Sequence, residues 1–200
     1  MVLLVEACAH RIVQPGSPGT PSRPITRRDA VNLSRVQFTA VDVKFMQGMI
    51  HHHAQALDMT ALIASRTSIA GMKLLGQRIE ISQSDEIKMM QRWLEVRGQP
   101  APDIHEHHVP GATLMPGMLT AEEMDRLAAA HGAEFDRLWL EGMIRHHDGA
   151  LTMVDELFSA PGAGQESEIF AFASDVVADQ KAEIDRMSAM LEELQNEIRR

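Results

Sequence analysis

The chain has 200 residues and a formal net charge of −9, long enough to bury one sizeable core or two small ones joined together. No basic stripe marks a nucleic-acid binder, and no apolar run is long enough to cross a bilayer. A single cysteine, Cys8, excludes an internal disulfide framework and any multi-cysteine zinc or iron–sulfur site, whereas 14 methionines and 10 histidines supply other metal donors.

Residues 1–25 hold a short apolar run, then Val5-Glu6-Ala7-Cys8, then a stretch rich in Pro, Gly and Ser. The opening resembles the end of a bacterial lipoprotein signal, with Cys8 as the residue that would carry the lipid anchor. It departs from that pattern in its short apolar segment, its missing basic start and Glu6. Two readings stand: a remnant of a secretion or lipoprotein signal, or a disordered tail. In both, residues 14–24 are a tether.

From residue 26 onward the chain reads as one helical domain. Thr39-x-x-Asp42 is a capping-box start, although Thr26 and Ser34 offer earlier ones. Phe45, Met49, His52, Ala56, Met59 and Ile63 then follow at alternating four- and three-residue steps, the period of one helical face. Thr67, Ser68 and Gly71 mark a turn. A second helix runs to about Arg97 and is ended by Gly98 and Pro100. Residues 99–119 form a Pro-rich loop carrying His105, His107, His108, Met115 and Met118. A short helix follows, capped by Thr120 with Glu123 and closed by Gly132. A third long helix spans about Ala133 to Phe158, and the last begins near Gln165.

The first and third long helices are copies. Asp42, Gly48, Met49, Ile50, His52, His53, Ala56, Leu57 and Met59 recur without a gap as Asp136, Gly142, Met143, Ile144, His146, His147, Ala150, Leu151 and Met153. Their partner helices match too: Gln83, Glu86, Ile87, Met90 and Leu94 correspond to Gln180, Glu183, Ile184, Met187 and Leu191. The duplicated unit is a helical hairpin, with repeat 1 over about 39–98, a linker and short helix over 99–132, and repeat 2 over about 133–200. Two hairpins predict an all-α four-helix bundle.

In each copy a methionine precedes a His-His pair by three and four residues, which places thioether and imidazoles on one helical face. Met49, His52, His53, Met143, His146 and His147 are therefore candidate metal ligands. The bland alternative is a set of core histidines satisfied by nearby carbonyls or carboxylates. Duplicated pairs in a repeated Met context favour ligation, because an imidazole on an apolar face needs a partner. Met90 and Met187, and the loop residues His105, His107, His108, Met115 and Met118, are further candidates, the loop as a more exposed site. Met46, Met59 and Met153 read as core. Glu86 and Glu183 could orient a ligating ring through its other nitrogen, with ordinary surface pairing preferred for them. Asp42 and Asp136 are first-turn helix residues or partners of the ligands. No bundle helix contains the Glu-x-x-His of di-iron carboxylate proteins. Abundant Met with scarce Cys points to copper, particularly Cu(I), ahead of zinc.

These residues resemble the domain-of-unknown-function 305 family. The likeness rests on Asp42, Phe45, Met49-Ile50, His52-His53, Ala56 and Met59, then Gln83, Glu86-Ile87 and Met90. It continues through Met115-Pro116-Gly117-Met118, Phe135-Asp136, Met143-Ile144, His146-His147, Ala150 and Met153, covering about 39–195. The resemblance implies a ferritin-like bundle in a secreted, periplasmic or lipid-anchored bacterial protein, with links to copper binding and tolerance and no established enzymatic activity. The leading expectation is an extracytoplasmic copper-binding protein that sequesters the ion or passes it to other copper-handling proteins. A metal-dependent redox enzyme and a purely structural bundle are the alternatives.

Overall fold

The computed structural model describes residues 12–14, 21–28, 37–104 and 114–199. Two short strands, β1 (Ile12–Gln14) and β2 (Arg23–Ile25), pair antiparallel with Ile12 opposite Ile25. They fall in the stretch expected to be only a tether. The remaining regular structure among the described residues is helical, chiefly α1 (Ala40–Ala61), the single turn α2 (Ile63–Arg66), α3 (Ala70–Val96), α4 (Ala121–Ala129), α5 (Gly132–Ser159) and α6 (Ser167–Ile198). Both expected capping boxes form, Thr39 with Asp42 and Thr120 with Glu123. Gly132 does not close α4, which ends at Ala129; it opens α5 instead.

The closest packing is α1 against α3 and α5 against α6, so each repeat is a hairpin, and the hairpins meet through α1 and α5. Two apolar clusters fill the interior. One gathers Phe45, Met49, Met90, Trp93, Ala150, Val154, Ile169 and Phe172; the other gathers Met59, Leu75, Ile79, Phe135, Trp139, Met143 and Met187. All four long helices contribute to both. Helices α1 and α6 run from the first cluster to the second, and α3 and α5 run back. The linker from α3 to α5 must therefore travel the length of the bundle.

The two copied aspartates anchor the hairpins to each other. Asp42 is fully buried, closes the capping box with Thr39, and accepts the Gly164 N–H at 2.7 Å from the α5–α6 loop. In the other copy, buried Asp136 faces Thr67 in the turn before α3. Burial pushes the Asp136 carboxyl pKa up, and the Thr67 side chain partly offsets the shift. Each aspartate thus serves the loop of the opposite hairpin.

Asp42→Ala removes a cap and strands the buried Gly164 N–H, and should cost about 2–3 kcal/mol in urea-induced unfolding. Asp42→Asn, which keeps an acceptor oxygen, should lose less. A neutral Asp42→Ala would refute the anchor.

Candidate metal centre

Between the two apolar clusters lies a polar layer. On α1 it falls between Ile50 and Ala56, and on α5 between Met143 and Ala150. On α3 it falls between Ile79 and Ile87, and on α6 between Val177 and Met187. It consists of His52, His53, His146, His147, Gln83 and Gln180, all buried, with Glu86 and Glu183 at its edge. The helical period produces it: each His pair takes core positions on the face that Met49 and Ala56, or Met143 and Ala150, fill one turn away.

All four imidazoles are completely shielded from solvent. His52 and His146, equivalent in the repeat, stack with centroids 3.8 Å apart and planes inclined by 35°. His53 Nε2 lies 2.5 Å from Glu86 Oε2, and His147 Nε2 lies 2.7 Å from Glu183 Oε2. The carboxylates preferred as surface pairs in the sequence thus turn inward to the histidines of the facing helix. Met49, Met90, Met143 and Met187 are fully buried, Met49 and Met90 in one cluster and Met143 and Met187 in the other. Met46, Met59 and Met153 are core, as expected.

A strap from the linker crosses this layer. Met115 packs against the first cluster, Met118 is buried, and the Pro116 carbonyl sits 3.0 Å from His52 Nε2. Gln55 grips the strap through both amide atoms, donating to the Leu119 carbonyl at 2.9 Å and accepting the Leu119 N–H at 2.7 Å. Across the groove, a Cβ at Gly149 would overlap the Pro116 carbonyl. Gly117 has φ +76°, and a Cβ there would overlap the Arg145 carbonyl. Gln55 and Gly149 hold equivalent places in the two copies and differ in type. That mismatch is the trace the strap leaves in the sequence, one of nine differences between the copies over the 18 positions 42–59 and 136–153.

Desolvation governs the electrostatics. Burial first, then His53 and His147, lowers the pKa of His52 from 6.5 to about 3, while the Pro116 carbonyl opposes the shift. His146 is also pushed well below its ordinary value, by burial and then by His52, His147 and His53. The His52 backbone favours the charged ring of His146 only weakly. Among the described residues, neither His146 nitrogen makes a hydrogen bond of acceptable geometry, and Nδ1 of His52, His53 and His147 has no partner. The buried amides of Gln83 and Gln180 also leave polar atoms unpaired. Among the described residues, no three His, Cys, Asp or Glu side chains converge as ligands to one ion. Donors outside that set lie near: the amide oxygens of Gln83 and Gln180 in the layer, and the sulfurs of the buried methionines flanking it.

Asp42 and Asp136 make their contacts with loops and lie about 15 Å along their helices from the histidines. His105, His107, His108 and Cys8 lie outside the described residues. Among the described residues no helix is long and apolar enough to cross a membrane.

A helical bundle with a duplicated, buried His layer flanked by methionines is what fold and site define. The family described as Domain of unknown function (DUF305) matches residues 42–191, and the chain belongs to it. A DUF305 fragment from Deinococcus radiodurans is similar at 30% identity, over 78% of this chain and 98% of that one, with a TM-score of 0.66. A DUF305 protein from Streptomyces coelicolor, described as a candidate secreted protein, is 27% identical over 78% of this chain and 94% of its own, with a TM-score of 0.67. CopM in its Cu(I)-bound form is 28% identical over 78% of this chain and 98% of its own, with a TM-score of 0.60. Comparison with curated proteins gives no match.

Two outcomes follow from this geometry. Between pH 6.5 and about 3 the unfolded chain binds a proton at His52 that the folded chain refuses. Stability of the metal-free protein should therefore fall as pH falls through that window, by about 1.4 kcal/mol per pH unit for each such ring. Thermal melts from pH 7 to 4 check this, and His52→Gln should flatten the dependence. Gly149→Ala should displace the strap and cost about 1–3 kcal/mol; a variant as stable as the parent would show that the strap yields freely.

Proposed function

We propose that this chain is an extracytoplasmic copper-binding protein that takes up Cu(I) through the histidines of its buried layer and the methionines that flank it. His146 carries the proposal: a fully buried ring with neither nitrogen partnered, stacked on His52 and three residues beyond a buried methionine. Leaving a buried polar atom unpaired costs about 1–3 kcal/mol, and a bound cation would remove that cost. The donor set fits the ion. Thioether and neutral imidazole suit Cu(I), which accepts two or three ligands, whereas a structural zinc site wants four. The strong downward shift at His52 keeps that ring neutral and able to ligate at ordinary pH.

CopM, known in Cu(I)- and Cu(II)-bound forms, supports copper as the ion by likeness. The similar Streptomyces coelicolor protein supports a place outside the cytoplasm. The single long crossover between the second and third long helices supports a ferritin-like arrangement, read as one bundle domain after the first 25 residues. The role is sequestration or transfer, with the Met115–Met118 strap as auxiliary donor.

Equilibrium dialysis of the reduced protein with Cu(I) against a graded chelator tests the reading. The parent should retain copper, and His52→Ala with His146→Ala should lose at least tenfold in affinity, about 1.4 kcal/mol. Copper should also raise the melting temperature of the parent alone. Equal retention by parent and double variant would end the proposal.

A further inference from the structure

Resting on that metal reading, we infer that His52, His53 and His147 present Nδ1 to the ion, because Gln55, Glu86 and Glu183 commit their Nε2 atoms as hydrogen-bond donors. Three of the four rings have a partner, and in each case the partner meets Nε2. At His52 that partner is the Pro116 carbonyl, which can only accept, so Nε2 must carry the proton. At His53 and His147 the partners are the carboxylates of Glu86 and Glu183, and an ionised carboxylate is likewise an acceptor alone. A neutral imidazole has one N–H and one lone pair. With the proton on Nε2, the lone pair is on Nδ1, and it is Nδ1 of His52, His53 and His147 that is buried without a partner.

The same choice explains the place of the methionines. Nδ1 is the ring nitrogen nearer the main chain, and residues three and four apart are neighbours on one helical face. Met49 precedes His52 and His53 by three and four residues, as Met143 precedes His146 and His147. The thioether on that face is the donor we pair with Nδ1, while Nε2 stays tied to the neighbouring helix or strap. Gln55 acts at one remove: by holding Leu119 through both amide atoms it sets the Pro116 carbonyl over His52. Gln55, Glu86 and Glu183 are positioning residues, selecting the tautomer through which the metal is held.

Long-range 1H–15N correlation of 15N-histidine-labelled protein at pH 7.5 tests this, with Ag(I) as a redox-inert probe for Cu(I). In the metal-free protein His52, His53 and His147 should be Nε2–H tautomers. Adding Ag(I) should shift their Nδ1 resonances and leave Nε2 protonated. Glu183→Ala should release the tautomer of His147 alone, and Gln55→Ala that of His52 alone, in spectra otherwise folded. An Nδ1–H form at His52 in the metal-free protein, or an Ag(I) shift at Nε2, would overturn the inference and leave metal binding intact. Ag(I) moving none of the histidine signals would overturn the ligation by Nδ1 together with the copper reading, even with the metal-free tautomers as expected.

Discussion

The molecule is constrained by the burial of four imidazoles across the waist of its bundle. A helical core is ordinarily apolar throughout, and each unpaired buried polar atom costs about 1–3 kcal/mol. The net stability of a domain is only about 5–15 kcal/mol. A handful of orphaned ring nitrogens is therefore a burden on the scale of the whole fold. The surrounding structure reduces it piece by piece: Glu86 answers His53, Glu183 answers His147, and a main-chain carbonyl answers His52. His146 is left over, which is why the site is best understood through that ring.

The layer also divides the labour of the core. Above and below it the clusters are built from large apolar side chains, Trp93 with Phe45 and Phe172 on one side, Trp139 with Phe135 on the other. Each cluster draws on all four long helices, so neither hairpin can hold its own polar stripe in place. The aspartates at the starts of α1 and α5 tie the ends across the interface, Asp42 to Gly164 and Asp136 against Thr67. These ties at both ends let the middle carry groups that contribute little to cohesion. That arrangement suits a binding site, where donors must be held close to their working geometry before the ligand arrives.

Much of this was legible from residue order, and the reasons are physical. Capping at Thr39 and Thr120 is local, so three residues of sequence suffice to see it. The Met-His face is equally local, since helical period alone puts Met49 beside His52 and His53. The inward turn of Glu86 and Glu183 is different in kind. Spacing places them on a face of α3 or α6, but only the packing of helix on helix decides what that face meets. The strap was hidden more deeply, because its decisive atom is the Pro116 carbonyl and a backbone oxygen has no residue type to betray it. Its trace lay in the divergence of Gln55 from Gly149, one of nine positions at which the two 18-residue copies differ. The strand pair of Ile12–Gln14 with Arg23–Ile25 left a weaker trace still, three residues to a side among prolines and glycines.

The linker that supplies the strap occurs once in the chain, whereas the hairpin occurs twice. A twofold arrangement of donors is therefore broken at its centre by connectivity alone. His52 is tethered through Nε2 to the main chain, and its counterpart His146 is not. Rings descended from one ancestral position become a fixed member and a free member of the same pair, so an arriving ion would meet two unequal hands.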